Sequence, residues 1–192
     1  MVKVALIHEG KSNKSHDNEL LKLLMQELAL PLDKVKFIGL GTKSNFFKKG
    51  NDNYKELLLD IKRKSINKIL FVVDADYEKN DSTYGGFDNT LKEIIKTRKE
   101  LNIYENSDLY ISCNFETKDG YLESLILSSI PKEQKECIET FLDCSEFKSK
   151  ENHKAILNQI YKSAYPKAPY NFKHSNFNTL KQKLNTLFEE NN

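Results

Sequence analysis

Two short stretches restrict this chain to few folds. "VALI" (4–7) and "ILFVV" (69–73) are unbroken apolar runs with polar or charged neighbours. Such runs suit strands buried on both faces, and those strands occur in parallel sheets covered by helices on each side.

The residues around the two runs extend the pattern. "KVALIHEG" (3–10) reads as the first strand. Ser15 caps a helix whose first turn carries Asp17 and Glu19, where acids suit the positive helix end. Leu20, Leu24 and Leu28, with Leu21 beside them, recur at helical spacing, and Pro31 follows. "KVKFIGLG" (34–41) reads as a second strand. "NYKELLLDIKRK" (53–64) reads as a helix with Tyr54, Leu57, Leu58 and Ile61 on one face. "INKILFVVDAD" (66–76) is the third strand. A helix over 88–101 turns Leu91, Ile94, Ile95 and Leu101 inward, and "DLYISCNF" (108–115) is the fourth strand. The order β-α-β-α-β-α-β predicts an α/β fold, a mainly parallel sheet flanked by helices. Beyond it the pattern is helical at 120–130, 132–143, 152–165 and 177–190, with Pro166 and Pro169 before the last. The expected organisation is an α/β core over 1–130 and a helical C-terminal extension over 131–192, packed on the same domain.

Composition narrows the class. At 192 residues the chain is long enough for a real core, and 39% hydrophobic residues favour folding over disorder. A net charge of +2 demands neither nucleic acid nor membrane as partner and excludes neither. Cys113, Cys137 and Cys144 form no CxxC pair, which suggests reduced thiols. The first apolar run is too short for a signal peptide, and no later segment is long enough to span a bilayer. The expectation is a cytoplasmic protein without a membrane partner. Nothing in the residues sets its oligomeric state.

In parallel sheets, function gathers at the carboxyl ends of the strands. Glu9 ends the first strand here, and Asp74 and Asp76 end the third. Residues i and i+2 of a strand point the same way, with Cα atoms roughly 6.5–7 Å apart, so the two aspartates are expected to face one site. Clustered carboxylates repel one another unless they take up protons or a cation. An oxygen-only set suits Mg²⁺ or Mn²⁺, and no His and Cys set has zinc spacing. Taken singly, each acid also has an ordinary reading as a helix cap, a turn acid or a solvated loop end.

Glu9-Gly10 after the first strand and Asp74-Ala75-Asp76 after the third, in this βα order, resemble a toprim domain. The resemblance covers about residues 2–130. "DGYLESLIL" (119–127), with Glu123, is similar to a segment of small stand-alone toprim-like proteins, which also end in a helical tail like "KAILNQIY" with the last helix. The toprim pattern places a helix acid four residues after the glutamate. This chain has Asn13 there and Asp17 four residues later, so either the loop is longer or Asp17 only starts the helix. The resemblance implies a Mg²⁺-dependent enzyme acting on phosphodiesters of DNA or RNA. Glu9 would be the acid/base or a third ligand, and Asp74 and Asp76 the metal ligands. Lys11 and Lys14, beside Gly10, are candidate phosphate contacts or solvated loop lysines. Glu123 and Asp17 are candidates for support behind the ligands, and an ion pair is an equal reading for Glu123. His8 is expected to pack on the other side of the strand from Glu9.

"YKSAYPKAPYNFKH" (161–174) interleaves aromatics with lysines, as single-strand binders do, although a proline-punctuated loop packing its rings on the core is the favoured reading. No GxxxxGK[ST] motif is present, so an ATPase would have to be a separate protein partner. A non-catalytic binding module or subunit is the alternative to an enzyme.

Overall fold

In the computed structural model, residues 3–11, 15–79, 81–144, 159 and 170–189 are described. Both apolar runs are inner strands of a parallel four-stranded sheet. β1 (Val4–His8) and β3 (Lys68–Asp74) pair side by side, β2 (Val35–Gly39) lies outside β1, and β4 (Ser107–Ser112) lies outside β3. The register aligns His8 with Gly39 on one side and with Val72 on the other. All five residues of β1 are buried, as both-face coverage requires.

Connections alternate strand and helix. α1 (His16–Glu27) links β1 to β2, and α2 (Lys43–Phe46) with α3 (Asp52–Lys62) links β2 to β3. α4 (Phe87–Glu100) links β3 to β4. The helical remainder contains α5 (Leu122–Leu127), α6 (Lys132–Cys144) and α7 (Asn178–Thr186). Side chains on alternate strand positions then build two cores. Val4, Leu6, Leu70 and Val72 pack with Leu20, Leu24, Leu125, Phe177, Leu180 and Leu184 from α1, α5, the 3-10 turn at Ser175–Phe177 and α7. Ala5, Ile7, Phe71 and Val73 pack with Phe46, Tyr54, Leu57 and Ile94 from α2, α3 and α4. The structure is therefore α/β, with a parallel sheet and helices on both faces. No helix among the described residues is long and apolar enough to cross a membrane.

Several expected boundaries shift. The third strand stops at Asp74, and α5 covers only the middle of the 120–130 segment. The last helix runs from Asn178 to Thr186, after a 3-10 turn at Ser175–Phe177. α3 buries a narrow stripe, Tyr54 and Leu57, so Leu58 is 36% exposed at its margin. The four-residue α2 has too few residues to show a helical period, and its pattern does not stand out in the sequence. The expected helix over 152–165 lies outside the described residues, Gln159 apart.

Candidate functional site

The strand order places a crevice where it is most useful. From β1 the chain moves outward to β2, then returns across β1 to β3, so the direction of winding reverses between β1 and β3. Loops leaving the carboxyl ends of these two strands diverge to opposite faces and open a gap, the usual ligand position in open parallel sheets. Glu9 follows β1 and Asp74 ends β3, one on each lip of the gap.

Backbone amides orient both acids. The Asp74 N–H donates to Glu9 Oε1 at 3.0 Å. The Leu122 N–H, at the start of α5, donates to Asp74 Oδ1 at 3.0 Å. Glu9, Asp17, Leu20, Leu21, Asp74, Ser112 and Leu122 line one small cavity on the α1 side. Glu9 reaches it because the chain bends after His8, where strand alternation no longer governs side-chain direction. His8 also faces α1: its Nε2 accepts from Asn18 Nδ2 at 3.2 Å. Burial, and then the charge of Lys22, pull the His8 pKa down to about 4.

Asp76 is placed differently from the alternation expected of i and i+2. The strand ends at Asp74, and Asp76 has a left-handed φ of 58°. Its N–H donates to the Gly120 carbonyl at 2.5 Å, and the Gly120 N–H returns a bond to the Asp76 carbonyl at 2.9 Å. This bridge fastens the aspartate turn to the loop before α5. Gly120 has φ +99°, and a Cβ there would stand 2.4 Å from Ser124 Oγ, so the close approach needs glycine. The Asp76 carboxylate lies 3.5 Å from the ammonium of Lys43.

Lys43 is the residue that sequence reasoning missed. It starts α2, just beyond the carboxyl end of β2, and is only 8% exposed. Its ammonium donates to the Ala75 carbonyl at 2.6 Å, between the two aspartates. Burial pushes its pKa below the usual lysine range. Asp76, Glu9 and Asp74 pull it back, in that order of strength. Lys43 therefore sits in the field of all three predicted acids. The sequence carried one usable signal, a lysine shortly after the carboxyl end of a strand. Lys48 and Lys49 share almost the same position, and nothing local separates the three.

The remaining predicted residues have particular places. Gly10 lets Ser15 close over the loop, since a Cβ there would meet Ser15 Oγ at 1.9 Å. Ser15 in turn caps α1 by accepting from the Asn18 N–H. Lys11 is exposed beside Gly41, and Lys14 and Asn13 lie outside the described residues. The Asp17 carboxylate is 3.9 Å from His8 Nδ1. Glu123 is buried and accepts from His16 Nδ1 at 3.0 Å, and His16 Nε2 lies 2.7 Å from the Tyr170 hydroxyl. Of the aromatic-basic segment, Tyr161, Lys162, Tyr165 and Lys167 lie outside the described residues. Tyr170 is buried and stacks on Phe172 at 5.3 Å, and Lys173 follows them.

The donor set suits a hard cation: carboxylate oxygens, with neither imidazole nor thiolate among the predicted ligands. Among the described residues no three or more His, Cys, Asp or Glu side chains gather closely enough to ligate one ion. What fits is an ion held by one or two carboxylates, with water and substrate oxygens as its other ligands, the usual manner of Mg²⁺. Comparison with protein-family models, curated proteins and solved structures gave no match.

Proposed function

We propose that the chain is a toprim-like phosphodiesterase acting on DNA or RNA, with its site in the crevice between β1 and β3. The observation that carries this is the buried Lys43, whose ammonium lies 2.6 Å from the Ala75 carbonyl and 3.5 Å from the Asp76 carboxylate, in the turn that follows β3. A phosphodiester brings negative charge and needs positive charge near its developing oxyanion. Asp74 and Asp76 would hold a divalent ion, which when bound supplies Lewis acidity toward a phosphoryl oxygen. Glu9, steadied by the Asp74 amide, is positioned to hold or move a proton at Oε1 or Oε2. The order of acids, Glu9-Gly10 after β1 and Asp74-Ala75-Asp76 after β3, supports the toprim reading.

The test incubates the chain with plasmid DNA and with RNA, with Mg²⁺ or Mn²⁺, beside Asp74→Asn. Metal-dependent cleavage that EDTA stops, and that falls at least about 100-fold in the variant, is the expected result. Equal activity, or equal inactivity, of the two proteins rejects the enzyme.

One observation favours a second reading. Lys43 and the backbone amides already compensate the carboxylates, as a site without turnover requires. The chain would then be a binding subunit, with a partner such as an ATPase. A stoichiometric partner retained from a lysate of the native host, together with no metal-dependent turnover, is the result that selects it.

A further inference from the structure

We propose that the loop from β2 to α3, with Lys11 beside it and Tyr84 facing it, is a docking edge for single-stranded nucleic acid. The inference names the substrate class of the crevice and rests on reading that crevice as a phosphodiester site.

Charge picks out this loop. The chain carries 28 acids, yet none falls between Asp33 and Asp52, a span that holds five lysines. Two of the five are neutralised in place: Lys36 pairs with Glu56 and Asp60, and Lys43 lies 3.5 Å from Asp76. Lys48 and Lys49 are exposed and make no ion pair among the described residues. Lys11 is likewise exposed, and its stem lies against the loop, where a Cβ on Gly41 would stand 3.2 Å from Lys11 Cγ. Lys11 lies between β1 and α1, and Lys48 and Lys49 lie between β2 and α3, so all three sit at the carboxyl end of the sheet, beside the crevice.

Paired rings give the same edge a second recognition element. Phe47 and Tyr84 are half-buried, with ring centroids 4.7 Å apart and planes inclined by 32°. Phe46, the next residue, is fully buried instead. Tyr84 belongs to the loop leaving β3, so the ring pair joins the two loops that the Lys43 bond to the Ala75 carbonyl also joins. Each ring stands on fixed backbone. Thr90 Oγ1 lies 2.8 Å from the Tyr84 carbonyl, and Asp81 Oδ1 accepts from the Thr83 and Tyr84 amides. Asn45 Nδ2 donates to the Leu40 carbonyl at 2.7 Å, and the Tyr54 hydroxyl to the Phe46 carbonyl at 2.8 Å. Lysines without partners meet phosphates, and half-exposed rings stack on bases. A duplex keeps its bases stacked inside and offers this edge only its phosphates, so the combination selects single strands.

The test reads fluorescence anisotropy of labelled single strands of DNA and of RNA, and of the matching duplexes, in EDTA between about 50 and 200 mM salt. The proteins are the wild type, Lys48→Gln with Lys49→Gln, Tyr84→Leu, and a control, Lys62→Gln with Arg63→Gln, which removes the same charge from the other end of α3. Far-UV circular dichroism checks each fold. The expected wild type binds a single strand at least about 10-fold tighter than its duplex. Losing Lys48 and Lys49 should weaken that binding about 10-fold and reduce the salt slope by about 1.4, from about 0.7 per phosphate contact. Tyr84→Leu should weaken it at least about 5-fold with the slope unchanged. The control should stay within about 2-fold of the wild type. Unchanged binding without Lys48 and Lys49, or an equal loss in the control, overturns the surface. Duplex bound as tightly as single strand, or no binding by the wild type, overturns the inference as well. Binding in EDTA involves no turnover, so each of these failures is distinct from failure of the metal-dependent cleavage test.

Discussion

His8 sits one residue before Glu9, 1% exposed, and its low pKa has a direct consequence for stability. The folded value of about 4 lies below the ordinary value of 6.5. Between these limits the unfolded chain binds a proton that the native chain refuses. The stability from His8 is therefore complete above pH 6.5 and is lost as pH falls toward 4, amounting to about 2 kcal/mol between pH 7 and pH 5. Urea midpoints at those two pH values, on the wild type and on His8→Gln, check this. The wild type should lose more than the variant, and equal losses would remove His8 as the cause. A second position acts through the backbone. Gly120→Ala puts a side chain at φ +99° and against Ser124 Oγ, so it should cost more than about 1 kcal/mol in urea unfolding. Because Gly120 bridges Asp76, the same variant should also weaken Mn²⁺ binding, a change that a remote glycine such as Gly50, with nothing near its Cβ position, would not produce.

At the scale of elements, α1, α5 and the C-terminal segment meet through one imidazole. The Glu123 carboxylate can only accept, so Nδ1 of His16 carries the proton, and in the neutral ring Nε2 accepts from the Tyr170 hydroxyl. Removing both partners of that last bond should cost less than the sum of the single changes. A cycle of His16→Ala, Tyr170→Phe and the double variant should give a coupling of about 0.5–3 kcal/mol in urea unfolding. Strict additivity would show that the bond contributes nothing. This link was not legible in the sequence, because its residues are 107 and 154 positions apart. The strands were legible, since an unbroken run such as Ile69–Val73 has one economical place, the middle of a covered sheet. Ser15 was legible as a cap because capping is a local bond. That Glu9 and Asp74 follow strand ends was legible from the βα order, whereas the pairing of β1 with β3 that makes those ends neighbours was not, because order along the chain leaves order in the sheet open. The direction of Asp76 did not follow, because a left-handed residue breaks the alternation that the expectation used. Lys43 was hidden for a third reason. Its importance comes from the packing of β2 beside β1, and no local pattern encodes which of several lysines that packing buries.

Over the whole molecule, the C-terminal helix is part of the core that supports the site. Leu180 and Leu184 are fully buried against residues of β1, β3 and α1, and Leu180 also borders the cavity lined by Glu9 and Asp74. At the other end of the sheet, Lys68 Nζ donates to the Thr186 carbonyl at 3.0 Å and to the Glu189 carbonyl at 2.6 Å. Lys183 pairs with Asp108 at 2.6 Å. α7 is thus fastened to β3 and β4 at their amino ends, while its apolar face closes the core beneath the carboxyl ends. Truncating Leu180 removes side-chain volume from the shared core, where the cavity left behind adds to the lost transfer energy. Leu180→Ala should therefore cost about 2–5 kcal/mol of global stability. If α7 and the sheet form one cooperative unit, far-UV circular dichroism and tyrosine fluorescence will trace the same urea transition in wild type and variant. The variant's midpoint will be lower and its slope unchanged. A first transition confined to one probe, with the main midpoint where the wild type has it, would mean that α7 unfolds on its own and that the core beneath Glu9 and Asp74 stands without it.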